Sequence, residues 1–184
     1  MSASTLANAN ETAFDLSISR VFDAPRELVW EAFTDPEHAT QWMGPRGFTA
    51  TYFEQDARPG GKWRACLHQN DEWQGQKYPD LWQGGVFKEI VPPERVVYTF
   101  AWEGQGQPTR ETLITITFTE LEDDRTQMDF HQEFFDTVGL RDGHNQGWNS
   151  SFDRLADYVT DKFRKRTREK VDEVSCLVML SRTG

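Results

Sequence analysis

The spacing of apolar residues changes once along this chain, and that change constrains the fold more than any other feature of the sequence. Between Phe48 and Phe135, apolar and polar residues alternate in short runs separated by Gly, Pro and Asp, which is typical of antiparallel strands with one buried face. After Asp136 the apolar residues recur at helical spacing. This order predicts an α+β domain in which one long helix covers a sheet.

The segment before the alternating region adds a strand and two short helices. Apolar residues from Leu16 to Phe22 predict a strand, and Asp23-Ala24-Pro25 then opens a helix. Thr34-Asp35-Pro36 ends that helix and starts a second one, which ends at Met43-Gly44-Pro45. Residues 1–13 are small and polar without periodicity, so we expect a flexible N-terminal tail.

The alternating region divides into about six strands at its turn-forming residues. The predicted strands are Phe48–Ala57, Lys62–His68, Leu81–Val91, Arg95–Trp102, Thr112–Leu121 and Thr126–Phe135. A Gly84-Gly85 pair inside one of them indicates a bulge or a bend. Together with the strand at the N-terminus, we expect a curved antiparallel sheet of about six or seven strands.

The helical region predicts one amphipathic helix from about Gly143 to Arg164. Its apolar stripe consists of Trp148, Phe152, Leu155, Val159 and Phe163. We interpret Gly143 and Gly147 as the entry of the helix, where small residues permit close packing against the sheet. The folded domain is expected to span residues 14–164. Residues 165–184 form a C-terminal extension that packs on the domain, joins an oligomer or is disordered, and the sequence leaves these alternatives open.

Composition limits the partners that such a domain can have. A chain of 184 residues and 21.3 kDa is the size of one domain, and 13% aromatic residues are too many for a disordered chain. The net charge of -10 argues against nucleic acid and anionic membranes as partners. Two cysteines, Cys66 and Cys176, make no disulfide framework, so we expect a cytoplasmic protein.

Four segments of the chain, in one continuous order, resemble a bacterial family named for its homology to the activator of heat shock protein 90 ATPase. They are Ile18 to Thr49, the RPGGKWR of Arg58 to Arg64, the GGVFKEIVPPERVVYTFAW of Gly84 to Trp102, and the GHNQGWNSSFDRLADYV of Gly143 to Val159. This family belongs to the START/Bet v-like superfamily, also called SRPBCC. The resemblance therefore implies a helix-grip fold, in which the sheet curves around the long C-terminal helix. The chain departs from the family at Trp42-Met43, where two aromatic residues usually precede Gly-Pro.

The superfamily resemblance also implies a cavity between the sheet and the long helix that takes apolar or amphipathic ligands. Aromatic and apolar side chains lie on most of the predicted elements and converge on this space if the fold is a helix grip. The predicted lining is Trp42, Met43, Phe53, Trp63, Trp82, Phe87, Phe100, Phe118, Phe130, Trp148 and Phe152, with Trp42 and Met43 as a gate. Thr115, Thr117 and Gln132 are candidates for polar contacts. The alternative that these rings simply fill the core stays open.

No set of residues in the sequence indicates a catalytic or metal centre. The four histidines, His38, His68, His131 and His144, form no recognisable group with a nucleophile. His131 and Glu133 share one face of a strand, but Met128, Phe130 and Phe134 have the opposite parity, so we expect His131 and Glu133 to face solvent or the rim. His68 is a candidate for the mouth of the pocket. We expect no metal site and no cofactor, because ligand spacings and phosphate-binding loops are absent.

These observations favour a non-enzymatic domain that binds a small hydrophobic or amphipathic ligand. A first alternative is a protein-interaction domain like the chaperone-ATPase activator, which the family name suggests. A second alternative is a cavity enzyme of the cyclase, dehydratase or hydrolase type, since the superfamily includes such enzymes. A protein partner and a homodimer both stay open.

Overall fold

The computed structural model describes residues 14–72, 75–104 and 110–181, with side chains up to residue 173. The described elements are, in chain order, β1 (Leu16–Phe22), α1 (Arg26–Thr34), α2 (Pro36–Trp42), β2 (Phe48–Gln55), β3 (Lys62–Gln69), β4 (Leu81–Val91), β5 (Arg95–Glu103), β6 (Thr112–Leu121), β7 (Arg125–Glu133) and α3 (Val138–Ser181). The N-terminal tail at 1–13 and the side chains of the apolar run 174–180, with Cys176, lie outside the described residues.

The seven described strands form one antiparallel sheet in the order β1-β7-β6-β5-β4-β3-β2. The sheet curls into a half-barrel, and α3 packs across it while α1 and α2 follow β1. This arrangement confirms the predicted α+β helix-grip fold. No helix in the described ranges is long and apolar enough to cross a membrane.

The pairing of β4 with β5 is interrupted at the predicted glycine pair. Pairing of β4 with β5 passes from Gly84↔Ala101 directly to Phe87↔Tyr98, and the backbone N–H of Val86 donates to Oγ1 of Thr99 instead. A Cβ on Gly85 would lie 1.8 Å from the carbonyl oxygen of Thr99, so only glycine fits. The register shift itself comes just after, between Phe87 and Glu89.

Helix α3 covers the sheet through the predicted stripe. Phe152, Leu155 and Val159 are at most 1% exposed, and the ring of Phe152 lies 5.4 Å from that of Phe130 on β7. The helix begins five residues earlier than predicted, at Val138, and continues past Arg164. The first turn was not predicted because it contributes nothing to the buried stripe; Val138, for example, is 44% exposed. Burial of the stripe supplies most of this region's stability, since helices in proteins are stabilised mainly by packing of their apolar face.

The parity predicted for the end of β7 is wrong at one residue. Phe134 is 37% exposed rather than inward, and Phe135 is buried in its place. The backbone of Phe134 has φ 74°, a left-handed conformation that interrupts the alternation of the strand. Met128 and Phe130 are buried as expected, and His131 and Glu133 lie on the other face.

Candidate functional site

A partly open pocket lies between the β3–β5 part of the sheet, the loop after α2 and the first turns of α3. Its volume is about 350 Å³, and most of its wall is apolar. The described residues that line it are Met43, Gly44, Pro45, Phe48, Leu67, Tyr78, Leu81, Gln83, Phe100, Trp102, Leu140, Gly143, His144, Gln146, Gly147, Trp148 and Ser151. The fold therefore leaves space at the end of the sheet where α2 meets β2.

The helix wall of the pocket is open because two of its residues lack side chains. A Cβ on Gly143 or Gly147 would meet no atom within 4 Å, and both glycines line the pocket. The expectation of close packing at these glycines is therefore wrong. Glycine at helical spacing is compatible with a tight contact or with a gap, and only the position of the opposite wall decides between them.

A buried polar cluster supports the deep side of the pocket. Gln132 is fully buried on β7, and its Oε1 accepts hydrogen bonds from Nε1 of Trp148 at 2.9 Å and from Nδ1 of His144 at 3.2 Å. Its Nε2 donates to Oγ1 of Thr112 at 2.8 Å. The cluster ties α3 to β6 and β7 by side chains, so it fixes the orientation of the Trp148 ring in the pocket wall.

The neighbours of His144 determine its tautomer. Nε1 of Trp102 donates to Nε2 of His144 at 3.0 Å, so Nε2 carries a lone pair and Nδ1 carries the proton that is donated to Gln132. The rings of Phe100 and Phe135 also contact the imidazole. Burial lowers the pKa of His144 from 6.5 to about 4, because the charged form loses its hydration. The imidazole is neutral at pH 7, with both nitrogens engaged.

One arginine holds the rim of the pocket. Nη1 of Arg154, on α3, donates to the carbonyl oxygens of Gly44 at 2.8 Å and Phe48 at 3.0 Å, with longer contacts to those of Met43 and Pro45. Three of these carbonyls belong to the loop after α2, and that of Phe48 belongs to the first residue of β2. Burial, and to a lesser extent the charge of Arg46, lowers the pKa of Arg154. Arg154 could not be recognised from the sequence, because its partners are backbone atoms more than 100 positions away.

Three of the predicted lining residues, Met43, Phe100 and Trp148, line this pocket. A second, smaller cavity of about 30 Å³ lies deeper, between α1, α2 and the sheet. The predicted residues that line it are Trp42, Met43, Phe53, Trp63, Phe87 and Trp148. Trp42 is 1% exposed and its Nε1 donates to the carbonyl oxygen of Ala32 at 2.8 Å, so it is fixed inside the fold rather than at an entrance.

The other four predicted lining residues lie elsewhere. Phe118, Phe130 and Phe152 are at most 2% exposed and belong to the core between the sheet and α3. Trp82 lies on the opposite face of the sheet from Gln83, where its ring stacks under the guanidinium of Arg64 at 4.0 Å. The residues predicted for the lining thus lie in four different places: the pocket wall, the deep cavity, the core and the outer surface of the sheet.

Of the three polar candidates, only Gln132 points inward. Thr115 and Thr117 alternate with the fully buried Ile114 and Ile116, so they lie on the outer face and the prediction of polar contacts from them is wrong. His68 is exposed and pairs with Asp80 at 2.7 Å, while its neighbour Leu67 lines the pocket.

A group of possible metal ligands forms on the outer face, at the edge of β1 and β7. One ligand atom each from Asp15, His131 and Glu133 lies within 4.8 Å of the others. Nδ1 of His131 also lies 2.9 Å from Oγ of Ser17. The spacing of His131 and Glu133 was visible in the sequence, but Asp15 joins them only through the pairing of β1 with β7. This group faces away from the pocket.

The sequence also matches a known family over most of its length. The family model described as Activator of Hsp90 ATPase homolog 1-like protein matches residues 23–160, which include every described element from α1 to β7 and the buried part of α3. The chain belongs to this family. The match ends before the exposed part of α3, so family membership covers the pocket and its polar cluster. No curated protein matches this sequence.

Solved structures agree with membership of the Activator of Hsp90 ATPase homolog 1-like family. A protein from Chromobacterium violaceum is 29% identical, with a TM-score of 0.69 over 79% of this chain and 96% of its own. One from Rhizobium leguminosarum is 26% identical, with a TM-score of 0.66 over 80% and 94% of the two chains. A Silicibacter pomeroyi protein with the same family name is 21% identical, with a TM-score of 0.68 over 80% and 99%, and shows the likeness of fold alone.

Proposed function

We propose that this protein binds a small hydrophobic or amphipathic ligand in the pocket beside α3 and catalyses no reaction on it. The observation that carries the proposal is the partly open pocket of about 350 Å³ with a mainly apolar wall. Pockets of this size and lining, with a few fixed polar groups, are the usual sites of small-molecule binding.

The two glycines of the helix wall support a pocket that is kept open. Glycine inside a helix costs about 1 kcal/mol relative to alanine, and a Cβ at Gly143 or Gly147 would meet no neighbouring atom within 4 Å. Larger residues would thus stabilise α3 and fill the space. Their absence from both positions favours a role for the space itself.

The chemistry of the pocket wall supports binding rather than catalysis. Both nitrogens of His144 are engaged in hydrogen bonds, and its pKa of about 4 leaves it a weak base. Oγ of Ser151 donates to the carbonyl oxygen of Gly147 at 2.8 Å, and no basic partner activates it among the described residues that line the pocket. These groups shape the wall and orient its rings.

The first test fills the pocket from the helix side. Wild type should bind N-phenylnaphthylamine, a neutral aromatic dye, at micromolar concentrations, with a rise in dye fluorescence and quenching of the protein tryptophans. Gly147→Leu should weaken this binding by about tenfold or more, because the new side chain enters the pocket. The variant should be at least as stable as wild type in urea, since glycine is a poor helix former.

Gly139→Leu is the matched control. Gly139 lies in the same helix, does not line the pocket, and its Cβ would meet only Oγ1 of Thr137, at 4.0 Å. The Gly139→Leu variant should bind the dye with the same affinity as wild type. Equal binding by wild type and Gly147→Leu would show that the dye sits elsewhere, and absence of binding by wild type would count against the proposed function and favour a protein partner.

Native mass spectrometry of the protein purified from cells tests the same proposal without a chosen probe. A tightly held apolar ligand would add a few hundred daltons that disappear on denaturation.

We also propose that the protein acts in the cytoplasm, because Cys66 is a free, buried thiol. Fractionation of cells with an antibody would check that location.

A further inference from the structure

Gln83 differs from the other buried polar side chains in the described part of the chain. It is 4% exposed, lies on β4 and lines the pocket, yet its amide has no hydrogen-bond partner among the described residues. The other buried polar residues, each with a bonded side chain, are Thr99, Thr112, Thr126, Gln132 and Ser151.

The two cross-strand neighbours of Gln83 form no hydrogen bond with its side-chain amide. Its two cross-strand partners are Ala65 and Trp102, whose side chains project to the same face. Ala65 has no polar group, and the indole N–H of Trp102 is donated to His144. A ligand that covers this amide without bonding to it would remove it from water and leave it unpaired, so a ligand group that forms a hydrogen bond with Gln83 is favoured.

The pocket wall carries no formal charge. None of the described lining residues is Asp, Glu, Lys or Arg, and His144 is neutral at pH 7 because its pKa is about 4. Arg154 lies behind the rim, but its guanidinium is directed at backbone carbonyls rather than into the pocket. A charged group on a ligand would lose its hydration here without gaining an opposite charge.

We propose that the pocket takes an uncharged, ring-containing ligand with a carbonyl or hydroxyl group, and that Gln83 selects this ligand by a hydrogen bond from or to that group. The inference rests on the proposed function, since it names the class of ligand for the same pocket. Trp102 and Trp148 supply aromatic surface to the wall of the same pocket.

The test compares two tricyclic probes that differ in one group. Fluorenone has a carbonyl where fluorene has a methylene, and each can displace N-phenylnaphthylamine from the protein. Wild type should prefer fluorenone by about 5–10-fold, which corresponds to one net hydrogen bond. Gln83→Met keeps the length of the side chain and removes its amide, so it should lose this preference while binding fluorene as well as wild type or slightly better.

The outcomes separate the two proposals. If wild type binds neither fluorene nor the dye, the proposed function fails, and the inference fails with it. If wild type binds both tricyclic probes equally, or Gln83→Met weakens both by the same factor, the pocket binds ligands but Gln83 does not select them. Urea unfolding of Gln83→Met confirms that the variant is folded before its affinities are compared.

A second pair of probes tests the absence of charge. Anilinonaphthalene sulfonate has the ring system of N-phenylnaphthylamine with an added sulfonate. At about 0.15 M salt, where long-range repulsion by the acidic protein is screened, the neutral dye should bind at least about tenfold more tightly. Equal or tighter binding of the sulfonate, displaced by the neutral dye, would overturn the uncharged class.

Discussion

Gln132 and His144 show how single residues set the protonation state of the pocket wall. The amide of Gln132 accepts from both His144 and Trp148, so it must present its oxygen to them, and this fixes the proton of His144 on Nδ1. A protonated imidazole would have to give up the hydrogen bond from Trp102, since Nε2 would then be a donor facing a donor. The cluster therefore opposes protonation by geometry as well as by burial.

The stability of the folded protein should decrease as the pH is lowered, because of His144. Its pKa is about 4 in the folded protein and 6.5 when exposed, so between these values the unfolded chain binds more protons. Folding free energy is therefore lost as pH falls from 6.5 to about 4, by about 2–3 kcal/mol. Urea unfolding at several pH values should show this loss in wild type.

His144→Gln supplies the comparison, because an amide can also accept from Trp102 and donate to Gln132 without titrating. The difference in unfolding free energy between this variant and wild type should change across pH 6.5 to 4 and stay constant above it. Carboxylate titration contributes equally to both proteins and cancels. A difference that does not vary with pH would show that His144 is not desolvated as the structure indicates.

The sequence predicted buried aromatic residues well and the pocket wall poorly. Phe152 follows from helical spacing, since burial on one face of a helix requires it. Gln83 and Gly147 give no such signal. A glutamine in a strand is usually exposed, and a helical glycine is compatible with contact or with space, so their roles depend on which residues the fold places opposite them.

At the scale of elements, strands were the most predictable part of the fold. The predicted bounds of β4 and β6 agree with the structure at both ends, because turn residues and strict alternation mark them locally. The end of β7 differs because one residue, Phe134, takes a left-handed conformation. The anchoring of the loop after α2 could not be predicted, since Ser150 and Arg154 of α3 bond to it from more than 100 positions away.

Arg154 should be the main support of that loop. Arg154→Met keeps the apolar stem but leaves the carbonyls of Gly44 and Phe48 without their charged donor. We expect a loss of about 2–3 kcal/mol in unfolding free energy, since hydrogen bonds to charged groups are the stronger ones. Dye binding should weaken as well, because Met43 and Phe48 line the pocket. Urea unfolding and dye titration measure the two effects.

Arg46→Met is the matched control for Arg154. Arg46 belongs to the same loop and bonds to Asp157 of α3 at 2.9 Å, but both side chains are more than 60% exposed. Exposed ion pairs contribute at most about 1 kcal/mol, so this variant should be nearly as stable as wild type and bind the dye normally. Similar losses in both variants would mean that Arg154 acts as a surface charge rather than as a bridge to the loop.

For the whole molecule, the question is where the cooperative unit ends along α3. Phe163 is the last residue of the stripe that packs against the core, and residues 164–173 are all exposed. Arg166 reaches Glu31 of α1 at 2.7 Å, with both side chains nearly half exposed. The helix thus continues through exposed residues at 164–173, and the division between a domain at 14–164 and an extension at 165–184 stays a prediction.

Deletion of residues 165–184 should leave the domain folded and able to bind ligand. It removes the Arg166–Glu31 pair and the exposed side chains of residues 165–173, so we expect the unfolding free energy to fall by less than about 1 kcal/mol. A deletion that starts at Val159, which is fully buried, should instead abolish the cooperative transition, because it takes Val159 and Phe163 from the core. Calorimetry and dye binding on both deletion variants would show where along α3 the cooperative folding unit ends. Loss of the transition in the shorter deletion would place the extension inside the folding unit, whereas a change only in sedimentation would assign it to self-association.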